Sequence, residues 1–324
     1  MKPMAARFTF HPLAKSFPPF VYHDAYSCPW PSSHRFPMNK FLNLKQYLVR
    51  ENIFDGSFTL PPHPLEVDEL MAHVIAVHDK EYVDRFIHGK LSKEEKRMIG
   101  LEFSDHLVYR TFAEVGGTIH TLDLALKTGL AVNLAGGTHH AHKCHGAGFT
   151  IINDMAVAAK RAISLHKLRS VLIFDCDVHQ GDGTATIFQN DPSVYTVSIH
   201  CVDNYPFVKQ NSNLDVDLAS GTGDVEYLDN LKQAYDLAVK ACRPDAVIYD
   251  AGVDVAKSDK LGRLDLSDQA IYDRDYFVLD ECMSRGIPVC AVIGGGYDPD
   301  PLVLAARHAL LHRAAIAVWS VHRR

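Results

Sequence analysis

An apolar run of strand type, VLIF at 171–174, ends abruptly in Asp175, Asp177, His179 and Asp182, with Gly181 and Gly183 among them. Three carboxylates and an imidazole crowded into eight residues are costly to bury unless a metal or protonated histidines neutralise them. The stretch reads as half of a metal site. Asp177 and His179 stand two apart, so on an extended backbone their side chains leave on one face and can share an ion. Asp254, beyond Asp250 and Gly252, is the candidate third ligand from a neighbouring strand. An Asp, His, Asp set leaves positions for water and substrate, as a hydrolytic zinc requires. Taken alone, Asp182 before a helical pattern reads as a helix cap.

His139 and His140 are adjacent and follow Gly136 and Gly137. Paired histidines beside an activated water suit general acid and base work, each ring needing a carboxylate behind it to set its tautomer. Asp175 and Asp182 are the acids left over for that task. His142 and His145, in the same loop, read as solvent-facing or loop-shaping. Tyr297 follows Gly294, Gly295 and Gly296, which let the backbone pass close to a ligand so that the phenol can donate to a developing oxyanion.

The elements that must position these residues alternate. β-Branched apolar runs at 131–135, 171–174, 194–199, 246–249 and 289–293 are separated by helical patterns at 154–166, 184–190, 225–241, 267–285 and 301–318. Earlier, residues 21–22 suggest a short strand, and 39–51, 67–88 and 104–128 read as helical, with a polar break at 89–93. The Pro61, Pro62, Pro64 cluster closes the irregular first section. Continuous apolar strands alternating with helices predict a three-layer α/β/α domain with a central, mostly parallel sheet. In such sheets ligands bind beyond the carboxyl ends of the strands. There the sequence places GGTHHAHKCHGAGF, the acidic cluster, DAGVD and GGGYDPD.

The chain has 324 residues, 47% of them hydrophobic, enough for a sizeable core, and shows no repeat, linker or boundary, so 1–324 is read as one domain. A net charge of −6 argues against nucleic acid as a direct partner. Seven cysteines without a C-x-x-C pair suit a reducing cytoplasm rather than a disulfide framework. No signal-peptide core is expected at the amino terminus, nor a membrane span. Nineteen histidines is a high count, but scattered ones such as His120, His166 and His308 read as ordinary helix-face residues.

Together these motifs resemble the histone deacetylase family of the arginase/deacetylase fold: GGTHHA, GAGF followed by Asn153 and Asp154, DCDVHQGDGT, DAGVD with Gly262 after it, and GGGY, in family order from Gly136 to Tyr297. The segments VYHDAY, HRFPM, VHDKEYVDRF and NYPFVKQNSNLDVDL are most similar to class IV deacetylases and their bacterial relatives. The resemblance implies zinc on Asp177, His179 and Asp254, His140 as general base with His139 as its electrostatic partner, and Asp175 and Asp182 supporting His139 and His140. Tyr297 would polarise the amide carbonyl. It also implies a potassium ion near Asp175, Asp177, His179, Ser198 and Ile199, and a channel for the acyl-lysine stem along Gly148 and Phe149, opposite an aromatic of the Tyr205–Phe207 loop and beside Gly295 and Gly296. Thr150 and Gln180 depart from common family residues, and neither is a proposed ligand. Glu102 and Asp105 are the candidates for gripping a substrate backbone. Expected substrates are an acyl-lysine protein or peptide, or an acylated small amine such as a polyamine. A binuclear manganese ureohydrolase and a non-catalytic acyl-lysine binding module are the competing readings.

Overall fold

The computed structural model describes residues 17–59 and 67–322; the Pro61, Pro62, Pro64 cluster lies outside them. Seven strands form one sheet: β1 (Phe20–Val21), β2 (Leu130–Asn133), β3 (Val171–Asp175), β4 (Val194–Cys201), β5 (Leu214–Leu218), β6 (Ala246–Asp250) and β7 (Val289–Val292). The spatial order is β1-β2-β7-β6-β3-β4-β5, and every pairing is parallel. VLIFD, AVIYD and VCAV are buried along their whole length because helices cover both faces.

The helices are α1 (Lys40–Arg50), α2 (Val67–Ile75), α3 (Lys80–Ile87), α4 (Lys93–Ile99), α5 (Asp105–Thr128), α6 (Asp154–His166), α7 (Asp182–Phe188), α8 (Asp224–Cys242), α9 (Asp268–Ser284) and α10 (Pro301–His322). α5, α6 and α7 pack on one face of the sheet, and α8, α9 and α10 on the other, with α1 lying against α10. α10 is long and apolar enough to span a membrane by composition, but most of it is buried against α9 and α1 as a core helix.

Three elements differ from the sequence reading. The pattern over 67–88 is two helices, because Asp79 caps α3 by accepting from the Tyr82 N–H at 2.9 Å. α4 lies partly where the polar break was expected, started by a capping box in which Ser92 and Glu95 satisfy each other's backbone N–H groups. β5 is an edge strand, LDVDL, whose exposed and half-buried acids hide it from an apolar-run search.

Parallel pairing sends every strand's carboxyl end to the same edge of the sheet. The register seats Asp175 beside Asp250 on one side and Ser198 on the other, and Asp250 beside Val292. The loops after β2, β3, β4, β6 and β7 therefore converge on one place.

Candidate active site

The loop after β3 turns under its own side chains: the Asp177 N–H donates to Asp175 Oδ1 and the His179 N–H to Asp177 Oδ1, both at 3.0 Å. The loop after β6 brings Asp254 alongside, where Oδ1 accepts from the Val178 N–H at 2.9 Å. His179 Nδ1 then lies 3.0 Å from Asp177 Oδ1 and 3.2 Å from Asp254 Oδ2. The three residues are fully buried, with ligand-type atoms all within 4.8 Å of one another. Burial opposes a charge on His179, but the two carboxylates push its pKa up to about 10. The set attracts positive charge, and a metal ion would displace the proton.

Two further features fit a bound cation. Among the described residues Asp254 Oδ2 has no polar partner beyond the His179 ring, and a Cβ on Gly295 would run into Asp254 Oδ2 and Asp177 Oδ2. The Gly295 N–H instead donates to Asp177 Oδ2 at 2.7 Å. Donor types and convergence suit a zinc centre with three protein ligands.

The histidine pair stands next to this triplet, its rings 4.1 Å apart. His139 Nδ1 meets Asp175 Oδ2 at 2.7 Å, and His140 Nδ1 meets Asp182 Oδ1 at 2.6 Å. Burial opposes the charged form of both rings, but Asp175 and Asp177 hold the His139 pKa well above the ordinary value. Burial together with the neighbouring His139 charge brings His140 down to about 4. The pair thus splits into a charged ring and a neutral ring able to accept a proton.

Their loop is braced from below. Asp154 accepts from the Gly137 N–H at 3.2 Å and the Thr138 N–H at 2.8 Å, and Asn153 Nδ2 donates to the Ala141 carbonyl at 3.2 Å. Arg110 and Glu114, one turn apart on α5, form a buried bidentate pair with both bonds at 2.9 Å, and Glu114 Oε1 also accepts from the Gly136 N–H. His142 shapes the loop rather than facing solvent: its Nε2 lies 3.3 Å from Asp182 Oδ2, and its ring stacks on His145 at 4.4 Å.

Tyr297 is held by its backbone, whose N–H donates to Asp259 Oδ2 at 2.7 Å. Asp259 Oδ1 takes the N–H groups of Leu261 and Gly262. Burial, then the carboxylates of Asp254 and Asp177, raise the phenol pKa well above its ordinary value, so it remains a neutral donor. Beneath it, buried Lys40 donates to the Gly294 carbonyl at 2.7 Å, and burial brings its ammonium down to about 8.

The channel walls are Phe149 and Tyr205. Phe149 has φ +66° and its ring lies 6.1 Å from that of Tyr297; Tyr205 stands edge-on to His140 at 4.9 Å. A Cβ on Gly148, where φ is +52°, would press on the His140 ring at 2.5 Å, so this approach needs glycine. Phe207 is 88% exposed and forms the lip of the mouth rather than the wall of the stem. Glu102 and Asp105 are outside the lining of the mouth, where Arg97 and Met98 stand.

Ser198 and Ile199 follow the register beside Asp175, and the Ser198 hydroxyl is 3.0 Å from His200 Nδ1. Gln180 ties the β3 loop to Asp215 of β5 at 2.9 Å, and Thr150 closes a turn onto the Ala147 carbonyl.

Other residues of the site carried no sequence signal that set them apart. Arg274, fully buried on α9, donates to the carbonyls of Cys176, Ala251 and Gly252, clamping both ligand loops. Asp250 ends β6 with neither carboxylate oxygen hydrogen-bonded. Burial and the nearby Asp175 raise its pKa well above the ordinary carboxylate value. It forms a second ligand-type group with His139 and Asp175, but those two already satisfy each other.

The histone deacetylase domain profile matches residues 34–313. The chain is 44% identical over 301 residues to an uncharacterized protein of Picosynechococcus, covering 93% of this chain and 99% of that one. It is 29% identical over 273 residues to histone deacetylase 2 of Arabidopsis thaliana (82% and 70% covered). It is also 29% identical over 290 residues to the acetoin utilization protein AcuC of Staphylococcus aureus (82% and 73%).

Proposed function

Because the chain belongs to the histone deacetylase domain family, we propose that it is a zinc-dependent hydrolase removing acetyl or other acyl groups from lysine side-chain amides. The observation that carries this reading is the pair of buried histidines, each on its own carboxylate, set against the Asp177, His179, Asp254 triplet. Bound there, zinc would supply Lewis-acid activation of the acyl carbonyl and of water.

His140, neutral and aligned by Asp182, takes the proton from the attacking water. His139, kept charged by Asp175 and Asp177, favours negative charge developing beside it. Tyr297 donates its phenolic proton in a hydrogen bond to the oxyanion. His140, or the pair acting as a unit, returns a proton to the departing amine. Phe149 and Tyr205 flank the apolar stem of the substrate and limit the entry of water.

A potassium ion beside Asp175, Asp177, His179, Ser198 and Ile199 belongs to the same reading, supported by the convergence of the β3 loop with β4. So does a cytoplasmic location, supported by seven free cysteines. Residues 1–324 are taken as one catalytic domain.

The test is turnover of peptides carrying acetyl-, formyl- and longer acyl-lysine by protein of measured zinc content, with and without a zinc-binding hydroxamate. Hydroxamate-sensitive release of the carboxylic acid, with the lysine side chain left unblocked in the peptide, is expected. Turnover of acetylated polyamines alone would move the substrate to small amines, and two manganese ions per chain would overturn the zinc reading. A zinc-loaded protein silent across the panel would favour a binding module.

A further inference from the structure

We propose that the mouth of the site selects an acyl-lysine carried on an acidic peptide segment, with carboxylates on both sides of the acylated residue. This rests on the acyl-lysine reading above and adds the chemistry of the flanking residues.

Above the Phe149 and Tyr205 walls the channel opens into a cavity of about 730 Å³, whose rim carries Arg35, Arg97, Lys260 and Arg263. All four are exposed, and no carboxylate pairs with any of them among the described residues. The one protein group held by Arg263 there is the Asp203 backbone carbonyl, at 3.0 Å. Asp203 is the sole acid in the lining, and its Oδ2 already accepts from the Ser220 hydroxyl at 2.9 Å. Four cations against one carboxylate stand out on a chain whose net charge is −6. The attraction is local to the entrance, where it steers what arrives.

The placement of the cations decides among anionic ligands. Arg35 comes from the loop before α1, Arg97 from α4, and Lys260 and Arg263 from the loop after β6. A small acylated molecule with one anionic end meets only one of these segments. A peptide crossing the mouth with its acylated lysine inserted presents residues to several, and the exposed Phe207 gives the chain an apolar edge. A polyamine or a basic tail meets like charges and is disfavoured. The two acids considered for holding a substrate backbone, Glu102 and Asp105, lie outside this lining, so the rim favours acidic flanks over basic ones.

The test uses fluorescently labelled peptides with a central acetyl-lysine flanked on both sides by Glu, Gln or Lys, measured on the full zinc-loaded chain. Binding by anisotropy and turnover are followed in parallel. Single exposed ion pairs are weak, but several together are expected to lower the Kd and KM of the Glu peptide about tenfold relative to the Gln peptide at low ionic strength. The gap should close as salt rises to about 0.3 M, because exposed charges are screened. Combined Arg97→Glu and Lys260→Glu substitution should reverse the order of Glu and Lys peptides, with thermal melting checking that the variant folds.

Equal or weaker binding of the Glu peptide by the unmodified chain at low salt overturns the proposal. So does preference for a small acetylated amine bearing one carboxylate, or retention on phosphatidylglycerol vesicles that the Glu peptide cannot compete away. Selective binding without turnover would sink the hydrolase reading and keep this one. Turnover without charge preference would do the reverse.

Discussion

His142 Nε2 lies 3.3 Å from Asp182 Oδ2, on the carboxylate whose Oδ1 holds His140 at 2.6 Å. Burial alone would raise the Asp182 pKa, but His140 and then His142 hold it well below the ordinary carboxylate value. Every donor on Asp182 weakens its pull on the His140 ring proton. Removing His142 should therefore raise the proton affinity of His140. For His142→Leu, the acidic limb of the kcat/KM profile is expected to move to higher pH by about half a unit. An unmoved limb at unchanged zinc content would reduce His142 to a loop residue.

Tyr297 and Asp259 separate chemistry from positioning. Tyr297→Phe keeps the ring but loses the oxyanion donor, so turnover should fall about 10²–10³-fold with zinc content preserved. Among the described residues the hydrogen bonds to Asp259 come from backbone N–H groups, those of Tyr297, Leu261 and Gly262. Asp259→Asn should lose less, about tenfold, because the amide oxygen can still accept one of those bonds. Single-turnover rates of both variants check the order; near-unchanged deacylation by Tyr297→Phe would remove the phenol from the mechanism.

Arg274 is the structural counterpart of the candidate metal ligands. It is fully buried beside Asp275, with Nη2 2.9 Å from the carboxylate, and donates to carbonyls on both ligand loops. Arg274→Met takes the cation from buried Asp275, which among the described residues keeps only the Tyr249 hydroxyl, and the guanidinium donor from three carbonyls, which should cost about 3–5 kcal/mol of stability. Asp177 and Asp254 should also lose their common frame, weakening zinc binding even where the variant folds. Urea unfolding and competition with a chromogenic chelator measure the two effects separately.

The contrast between Arg274 and the ligands explains what was readable in advance. Asp177, His179, Asp254 and the two histidines stand at the ends of apolar strands, where parallel pairing must gather them, so residue type and position marked them as candidates and the fold brings them together. Arg274 and Lys40, and Asp259 where it takes the Tyr297 N–H, act on backbone brought close only by tertiary packing; Arg274 bonds a carbonyl 98 residues away, and no local spacing announces that. Asp250 was in view as the first residue of DAGVD, but its isolation depends on Gly137 and Gly294 closing over it without side chains. The strands were legible where both faces are buried. β5 was missed because its two acids, one half-buried and one exposed, interrupt the apolar run, and α4 because its start is a polar capping box within a charged run.

Three histidines outside the catalytic pair make stability fall with acid. His78 spans two loops, with Nδ1 2.9 Å from the His142 carbonyl and Nε2 accepting from the Asn153 N–H at 3.0 Å. Burial lowers its pKa to about 4, does the same for His312, and takes His308 well below its ordinary value. Since each ring titrates near 6.5 once unfolded, the unfolded chain binds more protons than the folded one between about 6.5 and 4. Stability is then fully present above pH 6.5 and declines as pH falls through that window, by on the order of 1 kcal/mol per pH unit for each ring. His139 and His179, with raised values, act in the opposite direction, so the total slope is a difference. The His78 share is isolated by comparing unfolding free energies of the parent and His78→Gln at pH 7.5 and 5.5. The glutamine can accept from Asn153 and donate to the His142 carbonyl without titrating, so the variant should lose less stability on acidification. An equal loss in both proteins would mean that His78 is not held neutral.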